Sequence, residues 1–194
     1  FTCVFSKQPE RKVPLVPEPV ILEGVRVLGI DDNKTNRVIL QKTLENYGMR
    51  VDLLDGGRES VRVLQEAEQA KDPFQVVLLD MQMPGMDGEE TLKEIKNSPL
   101  SDKVEVIILT SMGERGDAAR LQELGCAGYL VKPVKQSQLI DVITTVLGQK
   151  QQEDKDRKRK LVTRHTVSEQ KRRKTKILLA EDNLVNQKLA VALL

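Results

Sequence analysis

The sequence predicts a parallel α/β sheet covered by helices on both faces, and three observations lead there. Between Val25 and Gly148, short strand-like runs alternate with segments of helical period, the pattern of a parallel α/β unit. The runs VRVLGI, FQVVLL, VEVIIL and GYLV are almost continuously apolar, as in strands buried on both faces. The chain is 39% hydrophobic but only 3% aromatic and has no Trp, so Val, Leu and Ile must fill the core.

The elements follow in order as strand–helix pairs. After the first strand, Asp32 or Asn33 can cap a helix whose Leu40, Leu44 and Tyr47 share one face, with Gly48 ending it. Val51 to Leu54 is the second strand, and the Gly56-Gly57 turn leads into a helix with Val61, Leu64 and Ala67 inward. The third strand runs from Gln75 to Asp80, and the loop MQMPGMDG separates it from a helix around Glu89 to Lys96. Val104 to Thr110 is the fourth strand; Ala118, Leu121 and Leu124 mark a helix closed by Gly125. Tyr129 to Val131 is the fifth strand, and Leu139, Ile143, Val146 and Leu147 recur at helical spacing in the last helix.

The flanks differ from this unit, which is assigned residues 25–149. Residues 1–24 comprise the alternating FTCVF, the pattern of one strand, and a stretch with four prolines between residues 6 and 20 that reads as an extended linker. Residues 150–175 carry DRKRK and most of QKRRKTK, with too few apolar residues to fold alone. Residues 176–194 repeat the opening strand: KILLAEDNLVNQ matches VRVLGIDDNKTNR, with Glu181-Asp182-Asn183 on Asp31-Asp32-Asn33 and Asn186 on Asn36. This second copy holds one strand and part of one helix, too little to form a site. The start at Phe1 and the stop at Leu194, inside an apolar helical pattern, read as a piece of a longer protein.

Bulk properties exclude several classes. A net charge of +2 gives no global field for nucleic acid, and the KRRKTK run lacks aromatic partners or a reading helix. Cys3 and Cys126 have no spacing of a disulfide framework or zinc site, so both are expected as reduced thiols. No apolar run reaches the ~20 residues that span a bilayer, and no signal peptide opens the chain. The expectation is a cytoplasmic segment making no membrane contact, whatever anchor a parent protein carries.

Four apolar runs end on residues suited to a phosphoryl group or its metal: Asp31-Asp32, Asp80, Thr110 and Lys132-Pro133. Parallel α/β sheets place their sites at the carboxyl ends of strands, so these four ends should meet. A carboxylate at Asp80 can attack phosphorus and form an acyl phosphate. Charge opposes that attack, so Asp32, with Asp31 beside it, would serve by holding a neutralising metal. Mg²⁺ suits a site of one or two carboxylates, phosphate oxygens and water. Thr110 offers a hydroxyl and Lys132 a positive charge to the remaining phosphoryl oxygens. Plainer roles exist for each residue: Asp32 or Thr110 as a helix cap, Asp80 as a turn residue, Lys132 as a solvated charge. Their joint placement at strand ends favours the site. His165, the only histidine, lies in the charged linker without a helical context and reads as solvated.

With these residues in view, the segment from 25 to 149 resembles the receiver domains of two-component response regulators. The resemblance rests on Asp31-Asp32, LLDMQMPGMDG, LTS at Thr110 and Lys132-Pro133. It implies a flavodoxin-like, doubly wound five-stranded sheet in the order 2-1-3-4-5 and a cis Lys132-Pro133 bond. It implies Asp80 as phosphoacceptor from a phosphohistidine-bearing kinase or phosphotransfer domain, with Mg²⁺ held by Asp32, Asp80 and the backbone carbonyl of Gln82. Thr110 and Tyr129 would act as switch residues, Gln82 and Met112 would tune the acyl phosphate's lifetime, and the fourth helix, fifth strand and fifth helix would form the readout face, open to homodimer formation. FTCVF resembles the last strand of a histidine kinase ATP-binding domain, and LVTRHT leading into ILLAEDNLVNQ resembles the join between tandem receivers. The chain thus resembles the first of two receivers in a hybrid histidine kinase, without a kinase's ATP-binding domain of its own. Two other readings stand beside this one: an interaction scaffold that is never phosphorylated, and an aspartyl-phosphate phosphatase. The phosphatase needs a general acid where this chain has Gln82.

Overall fold

The computed structural model describes residues 20–111, 117–151, 161–163, 166–167 and 180–193. The expected FTCVF strand, Met112, His165 and the strand KILLA up to Leu179 lie outside the described residues.

The strands are β1 (Arg26–Ile30), β2 (Arg50–Leu54), β3 (Val76–Asp80), β4 (Glu105–Thr110), β5 (Gly128–Val131) and β6 (Val162–Thr163). The helices are α1 (Lys34–Glu45), α2 (Ser60–Gln69, entered through a 3-10 turn at Gly57–Glu59), α3 (Gly88–Asn97), α4 (Asp117–Glu123), α5 (Gln136–Gln151) and α6 (Leu184–Leu193). The sheet order is β2-β1-β3-β4-β5-β6, and every neighbouring pair is parallel. The five expected strands therefore take the 2-1-3-4-5 order, and the basic linker adds a sixth that composition alone did not announce.

Alternation along β3 and β4 explains the two-sided winding. Val77, Leu79, Val106 and Ile108 point to one core with Leu64, Leu92, Ile95 and Leu121 of α2, α3 and α4. Val76, Leu78, Ile107 and Leu109 point to the other with Leu40 and Leu44 of α1 and Leu139, Val142, Ile143 and Val146 of α5. All five residues of β3 and all six of β4 are buried, which is why those runs lack polar alternation. Each such aliphatic side chain contributes roughly 1.5–3 kcal/mol by leaving water.

Two expectations change in detail. Tyr47 lies past the C-terminus of α1 and is 41% exposed, so it does not extend the face made by Leu40 and Leu44. The reason is that α1 stops at Glu45 and the chain turns through Gly48, at φ +76, before helical period can carry Tyr47 inward. Val61 is half-buried beside the fully inward Leu64 and Ala67.

Candidate functional site

The strand order reverses between β1 and β3, which leave their helices on opposite faces and open a crevice at their carboxyl ends. Asp31 follows β1 and Asp80 ends β3, so both carboxylates enter that crevice from a rigid, buried backbone. They are 3% and 4% exposed, while Asp32 is exposed. One carboxylate oxygen from each of Asp31, Asp32 and Asp80 lies within 4.8 Å of the other two, a spacing that can hold one cation.

Lys132 reaches between the buried pair. Its Nζ lies 3.0 Å from Asp31 Oδ2 and 2.8 Å from Asp80 Oδ2. The cis Lys132-Pro133 bond turns the chain just past β5, and the Lys132 N–H donates to the Thr110 carbonyl at 2.6 Å. Burial pulls the Lys132 ammonium pKa down, but the bonds to Asp80 and Asp31 outweigh it and raise it above its ordinary range. The lysine stays charged.

Smaller contacts fix the carboxylates. The Asn33 N–H donates to Asp31 Oδ1 at 2.9 Å, and Asn36 Nδ2 reaches both Asp31 oxygens at 3.2 and 3.1 Å. Arg37 Nη1 donates to the carbonyls of Asp31 and Asp32 at 2.7 and 2.9 Å. Asn33, rather than Asp32, caps α1, accepting from the N–H groups of Thr35 and Asn36, which frees the Asp32 carboxylate for the crevice. On the other side the Gln82 N–H donates to Asp80 Oδ1 at 3.2 Å. The loop then folds back so closely that a Cβ on Gly88 would sit 2.4 Å from the Asp80 carbonyl oxygen. Asp87 caps α3 by accepting from the Glu90 N–H at 2.8 Å.

Thr110 is 4% exposed at the end of β4, one residue beyond the position that pairs with Asp80. Tyr129 is half-buried on β5, opposite Ile108 and against the same core as Leu121. Four strand ends thus converge, as their residue types suggested, with Tyr129 further back along β5. The clamps supplied by Asn36 and Arg37 were not assigned from sequence. A signal for Asn36 did exist, because the repeat carries Asn186 at the matching place. There the Asn183 N–H donates to Glu181 Oε1 at 3.0 Å, the Val185 N–H to Asn183 Oδ1 at 2.9 Å, and Asn186 Nδ2 to Glu181 Oε1 at 3.3 Å. The second copy reproduces the turn that leads into the first copy's α1, with a longer acid.

The donor set is hard carboxylate oxygen, which fits a divalent cation of the Mg²⁺ type better than a thiolate-seeking metal. Cys126 is remote in role: buried, donating to the Gly128 carbonyl at 2.7 Å, its thiol pushed up to about 12 by burial. It is not a nucleophile at neutral pH. None of the described helices is long and apolar enough to cross a membrane.

Comparison with known proteins agrees with this geometry. The histidine kinase GacS of Pseudomonas protegens is 31% identical over 126 residues, covering 63% of this chain and 13% of that protein. The histidine-protein kinase BarA of Escherichia coli is 32% identical over 121 residues, 62% of this chain and 12% of that one. The chain therefore matches only a small part of these relatives' length. A receiver domain structure from Clostridium thermocellum superposes with a TM-score of 0.57 at 30% identity, over 66% of this chain and 97% of that one. The family model described as the response regulator receiver domain matches residues 27–144, and the chain belongs to that family.

Proposed function

We propose that this chain is a phosphoacceptor receiver of a hybrid sensor histidine kinase, in which Asp80 takes a phosphoryl group from a phosphohistidine. The observation that carries it is the buried Asp80 carboxylate, bonded to Lys132 and within reach of the two other acids. An Asp80 carboxylate oxygen attacks phosphorus as the bond to the donor imidazole nitrogen breaks, leaving an acyl phosphate and a neutral histidine. Lys132 stays charged and bonds a phosphoryl oxygen, and the Thr110 hydroxyl donates to another. Asp31, Asp32, Asp80 and the Gln82 backbone carbonyl would hold Mg²⁺, which when bound supplies positive charge against the incoming phosphoryl oxygens.

After transfer, Thr110 turns toward the phosphoryl group and Tyr129 moves inward, shifting an existing equilibrium of the face formed by α4, β5 and α5. The tandem reading is supported by the repeated turn at 181–187 and by relatives that are histidine kinases several times longer than this chain. Residues 1–24 are assigned to the end of a preceding ATP-binding domain and a linker, 150–175 to an inter-receiver linker, and 176–194 to the start of a second receiver. We place the segment in the cytoplasm, where a phosphohistidine donor is made.

Incubation with a small phosphodonor and Mg²⁺ tests the assignment. Stoichiometric labelling is expected, with loss in Asp80→Asn and a drop of about 100-fold in rate in Asp32→Ala. Labelling that persists in Asp80→Asn, or none in the native chain, removes the reading.

A further inference from the structure

We propose that residues 161–163 and 166–167 cap the outer edge of β5 from within the same chain, filling the surface on which a second copy would otherwise add. Without them β5 would be the last strand of the sheet, with a row of backbone N–H and C=O groups open to any extended segment. β6 lies parallel on that edge, Val162 opposite Gly128 and Thr163 opposite Tyr129, and the Val162 N–H donates to the Ala127 carbonyl at 2.9 Å. The outermost strand is then only two residues long, too short to template further pairing.

Strand alternation sends its neighbours to opposite faces of the sheet. Leu161 joins the core that contains Leu121 and Cys126 and on which half-buried Tyr129 also packs. Val162 and Val167 join the core containing Leu130, Val142 and Val146. A small turn returns Val167 to that core: the Thr163 N–H donates to Thr166 Oγ1 at 2.8 Å, and that hydroxyl donates to the Thr163 carbonyl at 2.9 Å. Leu161, Val162 and Val167 are 8%, 1% and 6% exposed. These are the only aliphatic residues between 152 and 176, and all of them are buried. The charged runs on either side carry no aliphatic side chain of their own.

A homodimer through α4, β5 and α5 would therefore meet an edge already filled, and a second copy would have to displace Leu161, Val162, Thr163 and Val167. The cap does not depend on phosphoryl transfer, so its test uses the 194-residue chain without a phosphodonor. Amide hydrogen exchange and sedimentation velocity are measured for the native chain, Val162→Asp and the milder Val162→Ser/Val167→Ser. The native Val162 amide should exchange at least about 100-fold more slowly than in a free peptide. Both variants should bring the amides of Val162, Thr163 and Thr166 to peptide rates, speed exchange in β5, leave β3 protected and move the chain from monomer toward dimer. If Val162→Asp also loses protection in β3, the milder variant decides. Native Val162 exchanging at peptide rates would overturn the cap, and variants that stay monomeric would overturn its role in closing the edge.

Discussion

The two ends of the sheet both gather acids and bases, and they combine them in opposite ways. At the amino end Arg26 and Arg50 meet Asp52 and Asp72, at 2.7 Å for Arg26–Asp52, 3.1 Å for Arg26–Asp72 and 2.6 Å for Arg50–Asp72. Two charges of each sign cancel there on partly exposed side chains, and Arg26 also stacks over the Phe74 ring at 4.1 Å. At the carboxyl end, among the described residues, three carboxylates gather round the one ammonium of Lys132, with the Arg37 guanidinium bonded to backbone carbonyls instead, and two of the three acids are buried. Exposed, balanced pairs contribute little and call for no ligand. A buried excess of negative charge is unfavourable until another cation joins it. Charge imbalance under burial, rather than charge itself, separates the site from ordinary surface.

Lys132→Ala should break this contrast most strongly. Removing the ammonium leaves Asp31 and Asp80 without their shared partner, so without metal the protein should lose about 1–3 kcal/mol of stability. Divalent cation should restore most of that loss and bind the variant more tightly than the native chain, because a competing positive charge is gone. On the proposed function, phosphoryl transfer should still fall by about 100-fold, since the lysine would no longer bond a phosphoryl oxygen. Thermal melts with Mg²⁺ and with a chelator, together with labelling rates, read all three effects. Weaker metal binding in Lys132→Ala would show that the lysine positions the acids rather than competing with a cation.

Glycines sharpen the comparison at a smaller scale. In Gly88→Ala the new Cβ would lie 2.4 Å from the Asp80 carbonyl oxygen and 2.6 Å from Met81 Cα, so backbone must move. Overpacking of this kind costs about 1–3 kcal/mol, and here it displaces the peptide of Asp80, the proposed phosphoacceptor, so labelling should slow as well. Gly24 at the amino end has φ +78 but no atom within 4 Å of a Cβ. Gly24→Ala should show only backbone strain of about 1 kcal/mol and leave labelling unchanged. Melting temperature and labelling rate measured on both variants test the difference.

How much of this was legible in the sequence follows the same division. Buried strands announced themselves by unbroken apolar runs, and their last residues by chemistry, because both signals are local. Asp31-Asp32, Asp80, Thr110 and Lys132 therefore stand out in the sequence alone. Asn36 and Arg37 were not given their roles, since an amide and a guanidinium on a helix's first turns look like any solvated face. β6 was also illegible: Leu161, Val162 and Val167 are too few to announce a strand, and Val162 and Thr163 form one only on the free edge of β5. Tertiary context supplied what local pattern lacked.

The smallest effect is expected at the amino end, in Asp72→Asn. The side-chain bond to Arg50 holds the Asp72 carboxyl below its usual range. A depressed folded pKa means that the stabilisation is fully present above the ordinary carboxylate range and is lost as pH falls through the depressed value. Asp72→Asn should therefore melt slightly below the native chain at neutral pH, with the gap closing in acid, where native Asp72 is itself neutral. High salt should narrow the neutral-pH gap too, because both partners are partly exposed. Labelling of Asp80 should not change, since this cluster sits at the opposite end of the sheet and its charges already cancel. A variant whose deficit persisted unchanged in acid would show that Asp72 acts by shape, holding the turn after α2, and that the amino-end network is packing rather than electrostatics.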